Sequence, residues 1–320
     1  MVTDTEVAAG VGVRIGLVGD GLAGRLRRRM PGAIGMDDPA ADGGAAVLVW
    51  SAAHDETLAS GPTSALTVAL AGAPSVRHVV LVSSAMVYGA WPNNPIPITE
   101  DAPLRPDVDF AHTARLVAAE QEVEAWRCER SDRTATILRP VITMAVDVTD
   151  RFAGALAAGM GRRVGAADPP AQFLHFDDLA SAVALAADRR LDGVFNVAPD
   201  GWVPGERVRA LAGGVPRVRL PDRIDEVVTD LRWRLLRGPI PPGLVGYIRW
   251  PWLVANDRLR EHGWRPSITN EQTYVEGTEA PWWTMVSPKR RQELALGGSA
   301  VALLVVLGVL IRSVRRMRRS

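Results

Sequence analysis

His78-Val-Val-Leu-Val-Ser-Ser-Ala-Met-Val-Tyr-Gly89 is the most informative stretch of the chain. Val79 to Val82 form an unbroken apolar run, which predicts a strand buried on both faces, as in the middle of a parallel sheet. Two hydroxyl side chains, Ser83 and Ser84, follow at the carboxyl end of this strand. Because open α/β sheets bind their ligands at that edge, we expect a functional site directly after the strand.

A glycine-rich turn precedes this strand in the chain. The apolar stretch Val11 to Val18 predicts a strand, and it leads into Gly19-Asp-Gly-Leu-Ala-Gly24 and a helix that extends to about Met30. A G-x-G-x-x-G motif between a strand and a helix is typical of dinucleotide-binding proteins, because its glycines let backbone N–H groups approach a pyrophosphate. The residues that we expect to contact the phosphates of NAD are Gly19, Gly21 and Gly24.

The segment after this helix is unusually short. Ala33 to Met36 predict a brief strand that ends at Asp37, whose carboxylate is placed to accept a hydrogen bond from the ribose 2′-hydroxyl and so to favour NAD over NADP. The alternative is that Asp37 lies in a solvated turn. The next predicted strand, Ala46 to Trp50, begins too soon for Pro39 to Gly44 to supply the helix of a normal parallel crossover. We therefore expect a weakened NAD site.

The Ser-Ser-Ala-x-Val-Tyr-Gly run of residues 83–89 resembles the extended short-chain dehydrogenase/reductases of the NAD-dependent epimerase/dehydratase family. Other segments resemble the same family in the same order, so that the resemblance extends from Val11 to Thr273. It implies an α/β fold, a Rossmann-like doubly wound parallel sheet with a small C-terminal subdomain on the substrate side. We place this domain at residues 11–275. The resemblance also implies that Ser84 holds a hydroxyl or carbonyl of the substrate.

Two of these segments bear on the architecture. The run Gln172 to Ala180 is similar to the family's His-x-Asp-Asp-x-Ala element, and we expect Asp177 or Asp178 to cap the helix that follows. The glycine turn departs from the family pattern, because the family spacing G-x-x-G-x-x-G would place a glycine at Val18. The spacing in this chain is that of other Rossmann proteins.

The helix corresponding to the family's catalytic helix lacks the expected side chains. Family members have Tyr-x-x-x-Lys on one helix face; the tyrosine moves a proton, and the lysine lowers the tyrosine pKa and holds the cofactor ribose. The match places Phe110 at the tyrosine and Ala114 at the lysine, and the only lysine of the chain is Lys289, outside the resemblance. The side chains that could share the work are His112, as a base near neutral pH, and Arg115, as a cation on the ribose.

Two functions therefore remain open. The first is a pseudoenzyme, a dinucleotide-fold module kept for nucleotide binding or for scaffolding. The second is an active NAD(P)-dependent oxidoreductase or epimerase with relocated catalytic groups, acting on a nucleotide-sugar-like or lipid-linked small molecule. The shortened crossover and the lost Tyr/Lys pair both impair the same reaction, and this coincidence favours the pseudoenzyme.

Composition limits the class of protein. The 320 residues are 47% hydrophobic and have a net charge of +1, which suits a sizeable core and argues against a dedicated nucleic-acid binder. The single cysteine, Cys128, excludes a disulfide framework and a cysteine-based metal site, and it fits a reducing compartment. We expect no metal. Met1 to Gly10 lack the basic and apolar pattern of a signal peptide.

The C-terminal part of the chain predicts membrane attachment. Leu294 to Ile311 contain no charged residue, and a helix of this length spans roughly 27 Å, close to the roughly 30 Å of a hydrocarbon core. Residues 276–293 form an aromatic and basic linker suited to lipid headgroups, and residues 312–320 form an arginine-rich tail. The alternative is a buried or interfacial helix. We expect the cell membrane, with membrane lipid as a partner and the globular domain on the cytoplasmic side; protein partners and the orientation of the tail stay open.

Overall fold

A computed structural model describes residues 12–35, 45–54, 63–107, 110–149, 151–161, 169–212 and 242–278. All of them belong to a compact unit that ends at Thr278. Asp37 and the predicted membrane segment 294–311 lie outside the described residues, as do residues 279–293 of the linker and the tail 312–320. Within the described ranges, no helix is long and apolar enough to cross a bilayer.

The strands of the described residues form two parallel sheets. Their bounds are β1 Val13–Ile15, β2 Ile34–Gly35, β3 Val47–Ser51, β4 His78–Val82, β5 Thr134–Pro140, β6 Ile142–Met144, β7 Phe173–His175 and β8 Gly193–Val197. The central sheet has the order β2-β1-β3-β4-β5-β8, and β6 pairs with β7 in a small second sheet. All five residues of β4 are buried, which confirms the strand predicted from its apolar run. The strand order reverses between β1 and β3, and ligands bind at such a switch point.

Helices cover both faces of the central sheet. Their bounds are α1 Asp20–Arg29, α2 Ala65–Ala71, α3 Ala111–Cys128, α4 Arg151–Gly161, α5 Phe176–Arg189, α6 Gly205–Leu211, α7 Val245–Arg249, α8 Asp257–Glu261 and α9 Asn270–Gly277. Helix α1 packs against α5, and α3 packs against β4 and β5. Because the chain moves in opposite directions along the sheet after β1 and after β3, right-handed crossovers place α1 and α3 on opposite faces. The sheet is therefore doubly wound.

The cap of helix α5 differs from the expectation. His175 is its N-cap residue, and the imidazole Nδ1 accepts the backbone N–H of Asp177 at 3.1 Å. Asp178 is buried and accepts the backbone N–H groups of Ser267 and Ile268 at 2.9 and 3.0 Å. The prediction of an aspartate cap was wrong because Asp178 is used to tie α5 to the C-terminal segment.

A buried histidine joins β4 to β5 at the amino end of the strands. His78 is fully buried, with Nδ1 2.9 Å from the hydroxyl of Thr134 and Nε2 3.2 Å from that of Thr136. The Thr136 hydroxyl donates its single hydrogen to the carbonyl of Leu191, so it accepts from Nε2–H and leaves Nδ1 to accept from Thr134. Burial lowers the pKa of His78 to about 4, because the imidazolium would be desolvated.

This environment predicts that the protein loses stability in mild acid. The unfolded chain binds a proton at His78 below its ordinary pKa of about 6.5, whereas the folded chain does so only near pH 4, so falling pH between these values favours unfolding. The loss attributable to His78 between pH 7.5 and pH 5 is on the order of 2 kcal/mol. Urea unfolding of the wild type and of His78→Gln at both pH values measures it. The variant should lose less stability on acidification than the wild type, and equal losses would contradict the assignment.

Candidate functional site

The glycine turn is placed at the carboxyl edge of the sheet, as predicted. Gly19 is the N-cap residue of α1, and its carbonyl accepts the N–H groups of Leu22 and Ala23, each at 3.0 Å. Two other parts of the chain lie directly on the turn. A Cβ at Gly19 would overlap the imidazole of His54, and a Cβ at Gly21 would overlap the side chain of Val148.

Gly24 differs from the other two glycines of the motif. Only a guanidinium nitrogen of Arg28 comes within 4.0 Å of a Cβ built there. Neighbouring atoms therefore require the absence of a side chain at Gly19 and Gly21 but not at Gly24. Gly19 and Gly21, where a side chain would clash, are the positions at which a pyrophosphate approaches the backbone of such a turn.

Ser84 lies directly after β4 and is the N-cap residue of a 3₁₀ turn over Ala85–Tyr88. Its hydroxyl accepts the N–H of Met86 at 3.2 Å and donates to the carbonyl of Pro140 at 3.4 Å. The side chain is partly exposed, whereas Ser83 is buried. Ser84 thus keeps an accessible hydroxyl at the strand exit, and in this structure that hydroxyl shapes the turn.

An aromatic cluster occupies the position of the family tyrosine. Phe110 is the N-cap residue of α3, and its ring centroid lies 5.7 Å from that of His112 and 5.8 Å from that of Phe152. The rings of His112 and Phe152 lie 4.6 Å apart, and His112 is buried. A Cβ at Gly243 would overlap the ring of Phe110. The position that would present a phenol hydroxyl to a substrate thus carries a phenyl ring packed against two other rings.

The next turn of α3 contains the position of the family lysine. Ala114 is exposed and has neither charge nor reach. Arg115 is half-buried, and its Nε is a buried atom without a hydrogen-bond partner among the described residues. A buried unsatisfied donor is costly in a folded protein and points to a missing acceptor. Arg115 is therefore the one cation in this part of α3 that can take an oxygen ligand.

The tyrosines of the chain do not replace the missing phenol. The hydroxyl of Tyr88 donates to Asn196 at 2.9 Å, that of Tyr247 to the carbonyl of Met86 at 2.7 Å, and that of Tyr274 to the carbonyl of Ala157 at 3.4 Å. All three are buried. Burial raises the pKa of Tyr88 and of Tyr247, which makes each a poorer proton donor near neutral pH.

A buried ion pair that was not predicted from the sequence lies beneath the strand exits. Glu120 and Arg139 are joined by two hydrogen bonds of 2.6 and 3.1 Å, and both side chains are almost wholly buried. The hydroxyl of Ser83 donates to Glu120 at 2.6 Å, and Arg139 donates to the hydroxyl of Tyr88 at 2.8 Å. Ser83 and Tyr88 therefore serve this network. Its signal in the sequence is a glutamate on the same helix face as Leu116 and Val123.

A second unexpected pair lies beside the glycine turn. Arg25 is buried on the face of α1 that also carries Leu22 and Leu26. Its guanidinium contacts Asp147 at 2.7 Å and Asp177 at 2.8 Å. The hydrogen bond from Arg25 lowers the pKa of Asp147. The helical spacing places Arg25 among apolar side chains, which indicates a buried charge in need of a partner, but the partners lie far away in the sequence.

Comparison with known proteins identifies sequences similar to this chain. Residues 45–198 match the model of the NAD dependent epimerase/dehydratase family. A Mycobacterium tuberculosis protein, named only as uncharacterized, is 31% identical over 206 residues, which is 63% of this chain and 54% of that protein. The chain thus spans about half the length of the curated relatives it matches.

Solved structures share the fold. UDP-glucose 4-epimerase of Thermus thermophilus in complex with NAD is 16% identical, with a TM-score of 0.53 over 83% of this chain and 97% of that one. A short-chain dehydrogenase/reductase superfamily protein of Agrobacterium tumefaciens with bound NAD is 18% identical, with a TM-score of 0.54 over 90% of this chain and 99% of that one. Identities this low establish the fold alone.

The buried pair under the site predicts a large difference between two arginines. Arg139→Met leaves the Glu120 carboxylate buried without a cation and should destabilise the protein by roughly 3–5 kcal/mol. Arg127 also pairs with a glutamate of α3, Glu124, at 2.7 Å, but both side chains are well exposed. Arg127→Met should therefore cost about 1 kcal/mol or less. Denaturant unfolding compares them, and similar losses would contradict the burial argument.

Proposed function

Because residues 45–198 match the model of the NAD dependent epimerase/dehydratase family, we propose that this chain is a dinucleotide-binding pseudoenzyme of that family. It binds NAD and has lost the proton transfer of the family reaction, so that it acts through binding or scaffolding. The observation that supports this proposal most directly is Phe110, packed against His112, Phe152 and Gly243 at the position of the catalytic tyrosine.

The proposed binding of NAD rests on the glycine turn and on Arg115. Gly19 and Gly21 lack side chains at the start of α1, where the helix N-terminus favours an anion. The unpartnered Nε of Arg115 supplies a donor for a ribose oxygen. Asp37 is proposed to accept from the ribose 2′-hydroxyl. NAD, when bound, supplies a nicotinamide ring for hydride transfer, and the solved structures of similar fold that contain NAD support this choice of dinucleotide.

The active-enzyme alternative would need His112 as the proton carrier beside Ser84. His112 is buried, and its ring packs against those of Phe110 and Phe152, whereas a general base must lie within hydrogen-bond reach of the proton that it abstracts. The alternative would take a nucleotide-sugar-like or lipid-linked substrate, in keeping with the UDP-glucose epimerase among the structural relatives.

Binding and turnover of the full chain separate the two functions. We expect saturable heat with NAD in calorimetry, and no NAD-dependent turnover of UDP-glucose above the rate without protein. His112→Ala should bind NAD as the wild type does, as should the control His262→Ala, whose ring packs on Phe195 outside the site. Turnover that His112→Ala abolishes and His262→Ala preserves would establish the active enzyme instead. Absence of NAD binding would refute the binding role.

We also propose that residues 294–311 anchor the protein in the cell membrane, with the globular domain on the cytoplasmic side. Eighteen uncharged residues between a basic linker and an arginine-rich tail support this proposal. The linker's aromatic residues Trp282 and Trp283 suit the headgroup region.

Charge substitution tests the anchor. Leu304→Arg with Val305→Arg places two guanidinium groups in the middle of the apolar segment, at roughly 2.5–3.5 kcal/mol each. The wild-type chain should stay in the membrane pellet after an alkaline wash, and the double variant should be released. Ser313→Arg, in the tail, serves as the control and should stay in the pellet. Release of the wild type by the wash would refute the anchor.

A further inference from the structure

A tight turn from Ala145 to Thr149, here called the Asp147 turn, lies over the glycine motif. Ala145 and Val148 exchange backbone hydrogen bonds of 2.9 and 3.3 Å, and the hydroxyl of Thr149 donates to the carbonyl of Ala145 at 3.1 Å. The tip residue Val146 is 76% exposed. The turn is thus a compact unit that presents its next two residues, Asp147 and Val148, to the start of α1.

Val148 takes the space above the second glycine of the motif. A Cβ at Gly21 would meet both methyl groups and the Cβ of Val148, so the valine side chain lies directly against the backbone of Gly21. The second glycine of such a motif exists to let a pyrophosphate reach the backbone. A pyrophosphate and the side chain of Val148 would therefore occupy the same space above Gly21.

Asp147 supplies the charge that a phosphate would otherwise bring. Its carboxylate accepts from Nη2 of Arg25 at 2.7 Å, and the same guanidinium donates through Nη1 to the carbonyl of Gly21 at 3.0 Å. An internal anion thus lies beside the first turn of α1, where negative charge is favoured. The turn imitates an anionic ligand with a carboxylate and a hydrocarbon group.

The contact between Asp147 and Arg25 can break at a low cost in free energy. Arg25 has a second carboxylate partner, Asp177 at 2.8 Å, so departure of Asp147 does not leave a buried guanidinium unpaired. The Asp147 side chain is 66% exposed, and an exposed carboxylate that loses its partner is hydrated by water. The Arg25 side chain is only 8% exposed, so opening costs one of its two ion pairs while its charge stays paired with Asp177.

We propose that the Asp147 turn is an autoinhibitory gate that occupies the dinucleotide phosphate site and must move for NAD to bind. This inference rests on the proposed function. The bound dinucleotide replaces Val148 over Gly21, and its negative charge replaces that of Asp147 beside Arg25. The affinity for NAD is therefore lower than the glycine turn alone would give, by the free energy needed to open the gate.

Calorimetry with NAD on the full chain tests the gate with three variants of one turn. Val148→Ala removes two methyl groups from above Gly21, and Asp147→Asn removes the charge while keeping the shape. Each should tighten NAD binding about three- to tenfold. Val146→Ala, at the exposed tip, is the matched control and should bind as the wild type does. Thermal unfolding of each variant checks that the fold is retained.

Hydrogen exchange provides a readout that does not depend on affinity. The amides of Ala145 and Val148 are bonded within the turn. Because separating the turn from α1 exposes these bonds to water, Asp147→Asn should speed their exchange without NAD, and saturating NAD should speed it in the wild type. Val146→Ala should exchange as the wild type does. Unchanged exchange at both amides on NAD binding would overturn the gate.

The NAD affinities of the wild type and of the two variants distinguish failure of the gate from failure of the proposed function. If the wild type, Val148→Ala and Asp147→Asn bind NAD equally, the gate is overturned and the binding role stands. Weaker binding by these two variants assigns the turn as a ligand contact, which also overturns the gate. Binding of NAD by Val148→Ala and Asp147→Asn but not by the wild type supports the gate. If none of the proteins binds NAD, the gate and the proposed binding role are both overturned.

Discussion

The ion pair between Glu120 and Arg139 sets the geometry of the edge at which ligands bind in this fold. It joins helix α3 to β5 inside the protein, where neither charge can be solvated. Such a pair is tolerable only when its remaining hydrogen-bonding capacity is used. Ser83 and Tyr88, both from the exit of β4, provide those hydrogen bonds. The pair thereby holds one helix and two strand ends in a single arrangement.

This arrangement explains why hydroxyls at the strand exit differ in their roles. Ser83 and Tyr88 are buried parts of the network, whereas Ser84 remains partly exposed on the other side of the backbone. Phe110, the N-cap residue of helix α3, stands at the position of the family's catalytic tyrosine, where its ring packs with those of His112 and Phe152. The exposed Ala114 stands at the position of the lysine. A phenyl ring and a methyl group thus lie where the resemblance places a phenol and an ammonium group.

Local patterns predicted most of the central sheet. The apolar run of β4 and the helix after the glycine turn follow from apolar patterning and turn chemistry, whereas α3 was expected from the family resemblance. The first strand was predicted over Val11–Val18 but extends only over Val13–Ile15. Gly16 packs against the indole of Trp50, and the chain then turns into the helix that begins at Asp20, so the strand ends earlier than the run of apolar residues suggests.

The contacts that distinguish the site could not be predicted in the same way. Arg25 is 122 residues from Asp147 and 152 from Asp177, and no periodic pattern links such distant positions. Helical spacing does reveal that Arg25 and Glu120 face the core, so the need for partners was visible and the identity of the partners was not. The cap of α5 was missed for a related reason: Asp178, a favoured cap residue by type, is used in a long-range contact with Ser267.

The glycine turn shows why a motif and its ligand have to be argued separately. The start of a helix favours negative charge whatever its source, and a glycine backbone accepts close approach by any group of suitable shape. Phosphate oxygens satisfy both preferences, but so do the carboxylate of Asp147, held through Arg25, and the side chain of Val148. Gly21 is therefore explained equally well by a bound dinucleotide and by the chain's own turn. What separates the two is the free energy of moving that turn, which depends on the ion pair between Asp147 and the buried Arg25 and on the packing of one valine.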